Sequence, residues 1–197
     1  QPCAPHIAGD AVALALTCHL ALKQDAKAIE LATRCLDNVD RKSVHDIALS
    51  HRANAYWRGG DKLKAKTDLQ RLERDFPDSA TTGQTIHDLA EAAYAAEDFI
   101  TSAELFEKLS RRSADSPLRA IGLSGLAWSR FQAEAFVEAA RDFSALGKAY
   151  PADVARASEA AFMAGLSHQR ADDLAKAAEA YTLGWTLYAP TEPAAAG

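Results

Sequence analysis

Residues Ala53–Asp78 read ANAYWRGGDKLKAKTDLQRLERDFPD, and they close on an aromatic-proline-aspartate run. A second such close, Tyr150-Pro151-Ala152-Asp153, begins 74 residues after Phe76-Pro77, which is twice 37. A shift of 37 brings much of the chain into register: Ala53, Ala90, Ala127 and Ala164 form one series, and Leu72, Leu109 and Leu146 another, with Cys35 ahead of it. Leu69, Phe106 and Phe143 form a third, followed one residue late by Tyr181. Ala28, Ala65, Ser102 and Ala139 form a fourth, followed one residue late by Ala177. A repeat of this length is one supersecondary unit that buries its apolar face only by stacking on its neighbours. The late arrivals predict one extra residue between the two helices of the fifth unit.

Each unit reads as a pair of helices. Helix starts are marked by Ser43 with Asp46 three residues on, Asp78-Ser79, Ser116-Pro117, and Asp153 after Pro151. These are N-cap residues, one of them followed by proline at the first helical position. Breaks within units fall at Gly59-Gly60-Asp61, Glu97-Asp98, Ala133-Glu134 and Ala171-Asp172. Between breaks the apolar residues recur at three and four, as in Leu63, Leu69, Leu72 and Phe76. The predicted helices are 8–22, 25–38, 43–58, 61–75, 79–96, 98–113, 117–132, 135–149, 153–170 and 172–187. The fold class is all-α, an α-solenoid of five stacked antiparallel helix pairs. The repeats span 9–42, 43–78, 79–115, 116–152 and 153–188, with an N-terminal extension 1–8 and an Ala/Pro-rich tail or linker 189–197. Small residues at Ala53, Ala90 and Ala127 let the first helix of a pair approach the second, and Leu69, Phe106 and Phe143 fill the layer between pairs.

Composition agrees. Of seven prolines, four lie at Pro2, Pro5, Pro190 and Pro193, leaving Pro77, Pro117 and Pro151 as interior breakers, too few for a β-rich chain. The net charge of −5 argues against nucleic acid, and Arg111-Arg112 reads as a solvated pair. No apolar run approaches the ~20 residues of a membrane span, so no insertion is expected. The chain starts at Gln1, which reads as a processed protein or a fragment.

The residues offer no catalytic chemistry. No phosphate-binding glycine motif is present, and Gly59-Gly60-Asp61-Lys62 reads as an interhelical turn. His6, His19, His45, His51, His87 and His168 include no pair at zinc-protease spacing, and Cys3, Cys18 and Cys35 form no Cys-x-x-Cys. No metal and no cofactor is expected, and the chain does not read as an enzyme. Carboxylates are placed on helix exteriors and caps. Cys35 shares the buried position of Leu72; Cys18 is expected not to pair with it, whereas a Cys3–Cys35 bond stays open.

Small residues at Ala53 and Ala65, aromatics at Tyr56 and Phe106, and the closing Pro77 resemble the tetratricopeptide repeat over roughly residues 9 to 188. Repeats of 37 rather than 34 are similar to those of bacterial cell-envelope proteins, which implies a periplasmic or envelope location, with the cytoplasm as the alternative. The resemblance also implies that first helices line a concave groove, giving three rows: Leu20, Trp57, Tyr94, Phe131 and His168; Thr17, Asn54, Glu91, Trp128 and Gly165; and Ala13, Ser50, His87, Ser124 and Ala161. The expected ligand-binding residues are Asn54, Trp57, His87, Glu91, Tyr94, Ser124, Trp128, Phe131 and His168. For Tyr94 and Phe131, core packing is an equal alternative. Ala13, Ser50 and Ser124 stand where chaperone-binding relatives carry clamp lysines, so that mode is not expected. Two functions follow: a scaffold binding a protein or peptide in the groove, or a structural domain that assembles into homo-oligomers.

Overall fold

The computed structural model describes residues 5–38, 44–113 and 115–188, all helices and turns. Ten α-helices occur there: α1 (Pro5–Ala21), α2 (Asp25–Leu36), α3 (His45–Arg58), α4 (Lys62–Asp75), α5 (Ala80–Ala95), α6 (Phe99–Ser110), α7 (Pro117–Gln132), α8 (Phe136–Ala149), α9 (Val154–Arg170) and α10 (Leu174–Tyr188). Ser43, Cys3 and the tail from 189 lie outside the described residues. The expectations for the Ser43 cap and for a bond to Cys3 therefore have no structural counterpart here. Cys18 and Cys35 are not bonded to each other: Cys18 is exposed and Cys35 buried.

One turn is built five times. Lys23, Gly60, Glu97, Glu134 and Asp172 all adopt positive φ, between 55° and 83°, two residues before the first residue of each second helix. In each turn the left-handed residue donates its N–H to the carbonyl three residues back, as in Gly60 to Trp57 O and Glu134 to Phe131 O. The next residue reaches one position further back, as in Asp61 to Tyr56 O and Ala135 to Arg130 O. These two hydrogen bonds satisfy orphan carbonyls at the end of each first helix. Asp61, Asp98 and Asp173 then accept from the backbone N–H of Lys64, Thr101 and Lys176 and cap the helix that follows.

The extra residue of the fifth repeat lies elsewhere than the sequence suggests. The turns Ala133–Ala135 and Ala171–Asp173 are the same length, because the left-handed turn fixes it. The insertion is inside α9, which has 17 residues against 16 in α7. Counting back from the turn, Gln169 therefore matches Leu20, Trp57, Tyr94 and Phe131: each accepts the N–H of the left-handed residue. His168 stands one residue out of the row, and one residue is about 100° of rotation around a helix.

The helices divide between Leu89 and Ala90 into two compact units. In the first, α1 packs on α2 and α3, α2 on α3, and α3 on α4. Its core joins Leu16, Cys35, Leu36, Val44, Leu49 and Leu72. In the second, each of α6 to α9 packs on the next, around Ala127, Phe143, Met163 and Ala164. The four periodic series are buried throughout apart from Tyr181, which is half-buried. Two carboxylates contradict the exterior placement. Asp68 is buried and takes two 2.8 Å bonds from Arg52, which also reaches Thr33. Asp142 is buried beside Arg130, and burial holds its carboxyl above the usual range against the pull of that guanidinium.

Candidate functional site

Four of the nine expected residues meet in the second unit. Glu91 and Tyr94 from the end of α5, and Ser124 and Trp128 from α7, line a cleft of about 630 Å³ with Phe106, Ala120, Ile121, Gly125 and Arg156. Gly125 makes this wall. A Cβ there would sit 2.5 Å from the Phe106 ring, so only glycine lets the two elements close to this distance. Beyond Trp128 a smaller hollow of about 290 Å³ shares Ser124, Trp128 and Arg156 and adds Phe143, Asp153 and Glu159.

Trp128 thus stands as a ridge between two hollows. Its ring is held edge-on by Phe143, with centroids 5.4 Å apart at 89°, and by Phe131 at 6.1 Å. Such contacts fix an aromatic in place before any ligand arrives. Arg156 is the basic group of the rim: it pairs with Asp153 at 3.2 Å and lies 5.1 Å over the Tyr150 ring. Sequence reasoning missed Arg156, although Arg119 stands 37 residues before it in the first turn of α7.

The row of rings does a second job. Tyr94 packs edge-on against Phe99 at 5.3 Å, Phe131 against Phe136 at 5.5 Å, and the Trp57 indole lies 5.3 Å under the Lys62 ammonium. Lys62, Phe99 and Phe136 each open a second helix and are 37 apart, so the row locks the two helices of a pair together at the turn. Of that row Tyr94 lines the cleft, while Phe131 supports Trp128 from behind.

The remaining expected residues lie apart from this cleft. Asn54 donates to Ser50 O, and His87 lies against Asp88, both within the first unit. Trp57 is 8% exposed, which leaves almost none of its indole for a ligand. His168 lines a different hollow, about 430 Å³, between α8 and α10 over Ala157, Ala161 and Ala164. The inserted residue in α9 turns His168 toward that side. Also in the first unit, His51 bonds Thr17 at 3.0 Å, and burial holds its pKa below the ordinary value despite the nearby Asp88. Among the described residues no group of His, Cys, Asp and Glu could hold a metal ion, and no helix is long and apolar enough to cross a membrane.

Comparison with known proteins agrees with this geometry. The family model of the tetratricopeptide repeat matches residues 48–79, from within α3 through α4 to the Phe76-Pro77-Asp78 close. Among solved structures, MamA of AMB-1 is 15% identical, covers 92% of each chain, and superposes with a TM-score of 0.54. MamA from Desulfovibrio magneticus RS-1 is 14% identical over 94% of this chain and 97% of its own, at 0.53. A Podosopora anserina protein described as a kinesin light chain with nearly identical TPR-like repeats is 15% identical over 93% and 96%, at 0.56. At such identity the likeness is one of fold. No curated protein matches the chain.

Proposed function

We propose that this tetratricopeptide-type chain is a protein-interaction scaffold whose second unit seats a peptide segment of its partner across Trp128. The repeat fold supports the general reading, since stacked helix pairs present side chains for binding. The observation that carries the finer reading is Trp128 itself. It is half-buried, braced from two sides, and flanked by hollows whose rims bring together Glu91, Ser124 and Arg156. An apolar side chain of the ligand would enter the larger hollow against Phe106 and Ile121, and rim groups would fix its backbone and direction.

A peptide library selected against the intact protein tests this. Selected peptides should bind an Ile121→Glu or Ser124→Arg variant at least about tenfold more weakly, since a charge or bulk then blocks the hollow. They should bind a Leu183→Glu variant unchanged, because Leu183 lines the separate hollow between α8 and α10. Peptides indifferent to both cleft variants would remove Trp128 as the seat.

A further inference from the structure

The smaller hollow beside Trp128 differs in chemistry from the larger one. Trp128 of α7, Phe143 and Leu146 of α8 and Ala160 of α9 give it an apolar wall. Its remaining groups are ionic, because the start of α9 brings Asp153, Arg156 and Glu159 to the same hollow at intervals of three residues. Residues three apart on a helix share one face, so this spacing sets the three charges side by side.

The three charges are not equivalent. Asp153 is engaged locally: its Oδ1 accepts the Arg156 backbone N–H at 3.1 Å, and its Oδ2 pairs with the Arg156 guanidinium at 3.2 Å. That guanidinium also lies over the Tyr150 ring, so an arriving anion would compete with Asp153 for a group already held from two sides. Glu159 is exposed and forms no ion pair among the described residues. With two carboxylates against one guanidinium, the charge left over in the hollow is negative. Lysine and arginine match such a site, since each lays an apolar stem along apolar surface and carries its charge at the far end. An aromatic wall adds attraction for the charged head.

We propose that the smaller hollow seats a cationic side chain of the bound segment, its stem packed on Trp128 and Leu146 and its charge met by Glu159. This rests on the reading of Trp128 as the seat of a peptide, and it specifies that peptide's chemistry. An apolar residue fills the larger hollow, and a lysine or arginine close to it in sequence lies on the other side of the Trp128 ridge. Glu159 is then the residue that selects for charge, while Asp153 holds Arg156 aside.

The probe is a set of short synthetic peptides with leucine fixed at the centre and uncharged polar residues around it. Each position flanking the leucine is filled in turn by lysine, arginine, glutamine, norleucine or glutamate, and fluorescence anisotropy reads binding to the intact protein. At one position lysine or arginine should bind at least about fivefold tighter than glutamine or norleucine, with glutamate weakest. Glu159→Gln should reduce that preference to about twofold or less and leave the dependence on leucine unchanged. Glu159→Lys should move the preference toward glutamate. Because Glu159 is exposed, both variants should melt with the parent. Binding that needs leucine and is lost in Ser124→Arg, yet shows no preference for a cation, overturns this inference and leaves the cleft reading standing. So does a cation preference that Glu159→Gln leaves intact. A preference for glutamate in the parent would assign the hollow to Arg156 and overturns the inference as well. Peptides that bind without regard to leucine or to Ser124→Arg, or that do not bind at all, remove the cleft reading and this inference with it.

Discussion

Truncating Trp57 to alanine separates a ring that holds the fold from one that holds a ligand. The indole is 8% exposed, and it closes the turn between α3 and α4 with Lys62 over its face. A buried indole removes up to roughly 200 Å² from water, and cutting such a ring back to Cβ costs about 3–5 kcal/mol once the cavity is included. Loss of the Lys62 contact adds about 0.5 kcal/mol, since the ammonium is exposed. For a chain of this length each kcal/mol lowers the melting temperature by about 2–4 °C, so a fall on the order of 10 °C is expected. Trp185→Ala is the control: its ring is 70% exposed, and its loss should move stability by less than about 0.5 kcal/mol. Thermal melts followed by far-UV circular dichroism compare the three proteins. A Trp57→Ala melt within about 2 °C of the parent would refute the core assignment, since that corresponds to under about 1 kcal/mol. The indole would then return to the set of groove-facing residues that the tetratricopeptide resemblance implies.

Two further outcomes test the helix contacts. Gly122→Ala should lower stability by about 1–3 kcal/mol, because a Cβ there would sit 2.6 Å from that of Leu109 and against the Ser110 backbone. Gly147→Ala, whose nearest neighbours stand at 3.5 Å, should be neutral or gain up to about 1 kcal/mol of helix propensity; urea midpoints decide, and equal losses at both sites would contradict the contact geometry. His51 sets a pH dependence. Burial keeps it neutral in the folded state, so below its ordinary pKa of about 6.5 the unfolded chain takes up the proton first. Its contribution is therefore fully present above that pH and is lost as pH falls toward the lowered folded value; His51→Gln should flatten this part of the stability–pH curve, and an unchanged slope would count against it.

Much of this protein was legible in one dimension. The 37-residue recurrence placed ten helices, their turns and the buried small and large series, because each repeat meets the same local and nearest-neighbour demands. The left-handed residue of the first four turns occupies the same place in the period, whether it is Gly60 or the less suited Glu97 and Glu134. The remaining features depend on what covers a given face, and periodicity within a helix does not carry that. Trp57 and Trp128 stand in neighbouring rows of the repeat, three residues apart in the period, yet one is sealed in its own pair and the other stands between two hollows. Asp68 and Asp142 look like surface carboxylates until Arg52 and Arg130, from different turns of their helices, fold over them. The inserted residue of repeat five shows the difference most directly. Its existence is visible as a shift from 37 to 38, but a shift does not say whether turn or helix absorbs it. The tertiary structure decides, because a turn tied by two backbone hydrogen bonds has a fixed length, and a helix takes the extra residue by rotating its face.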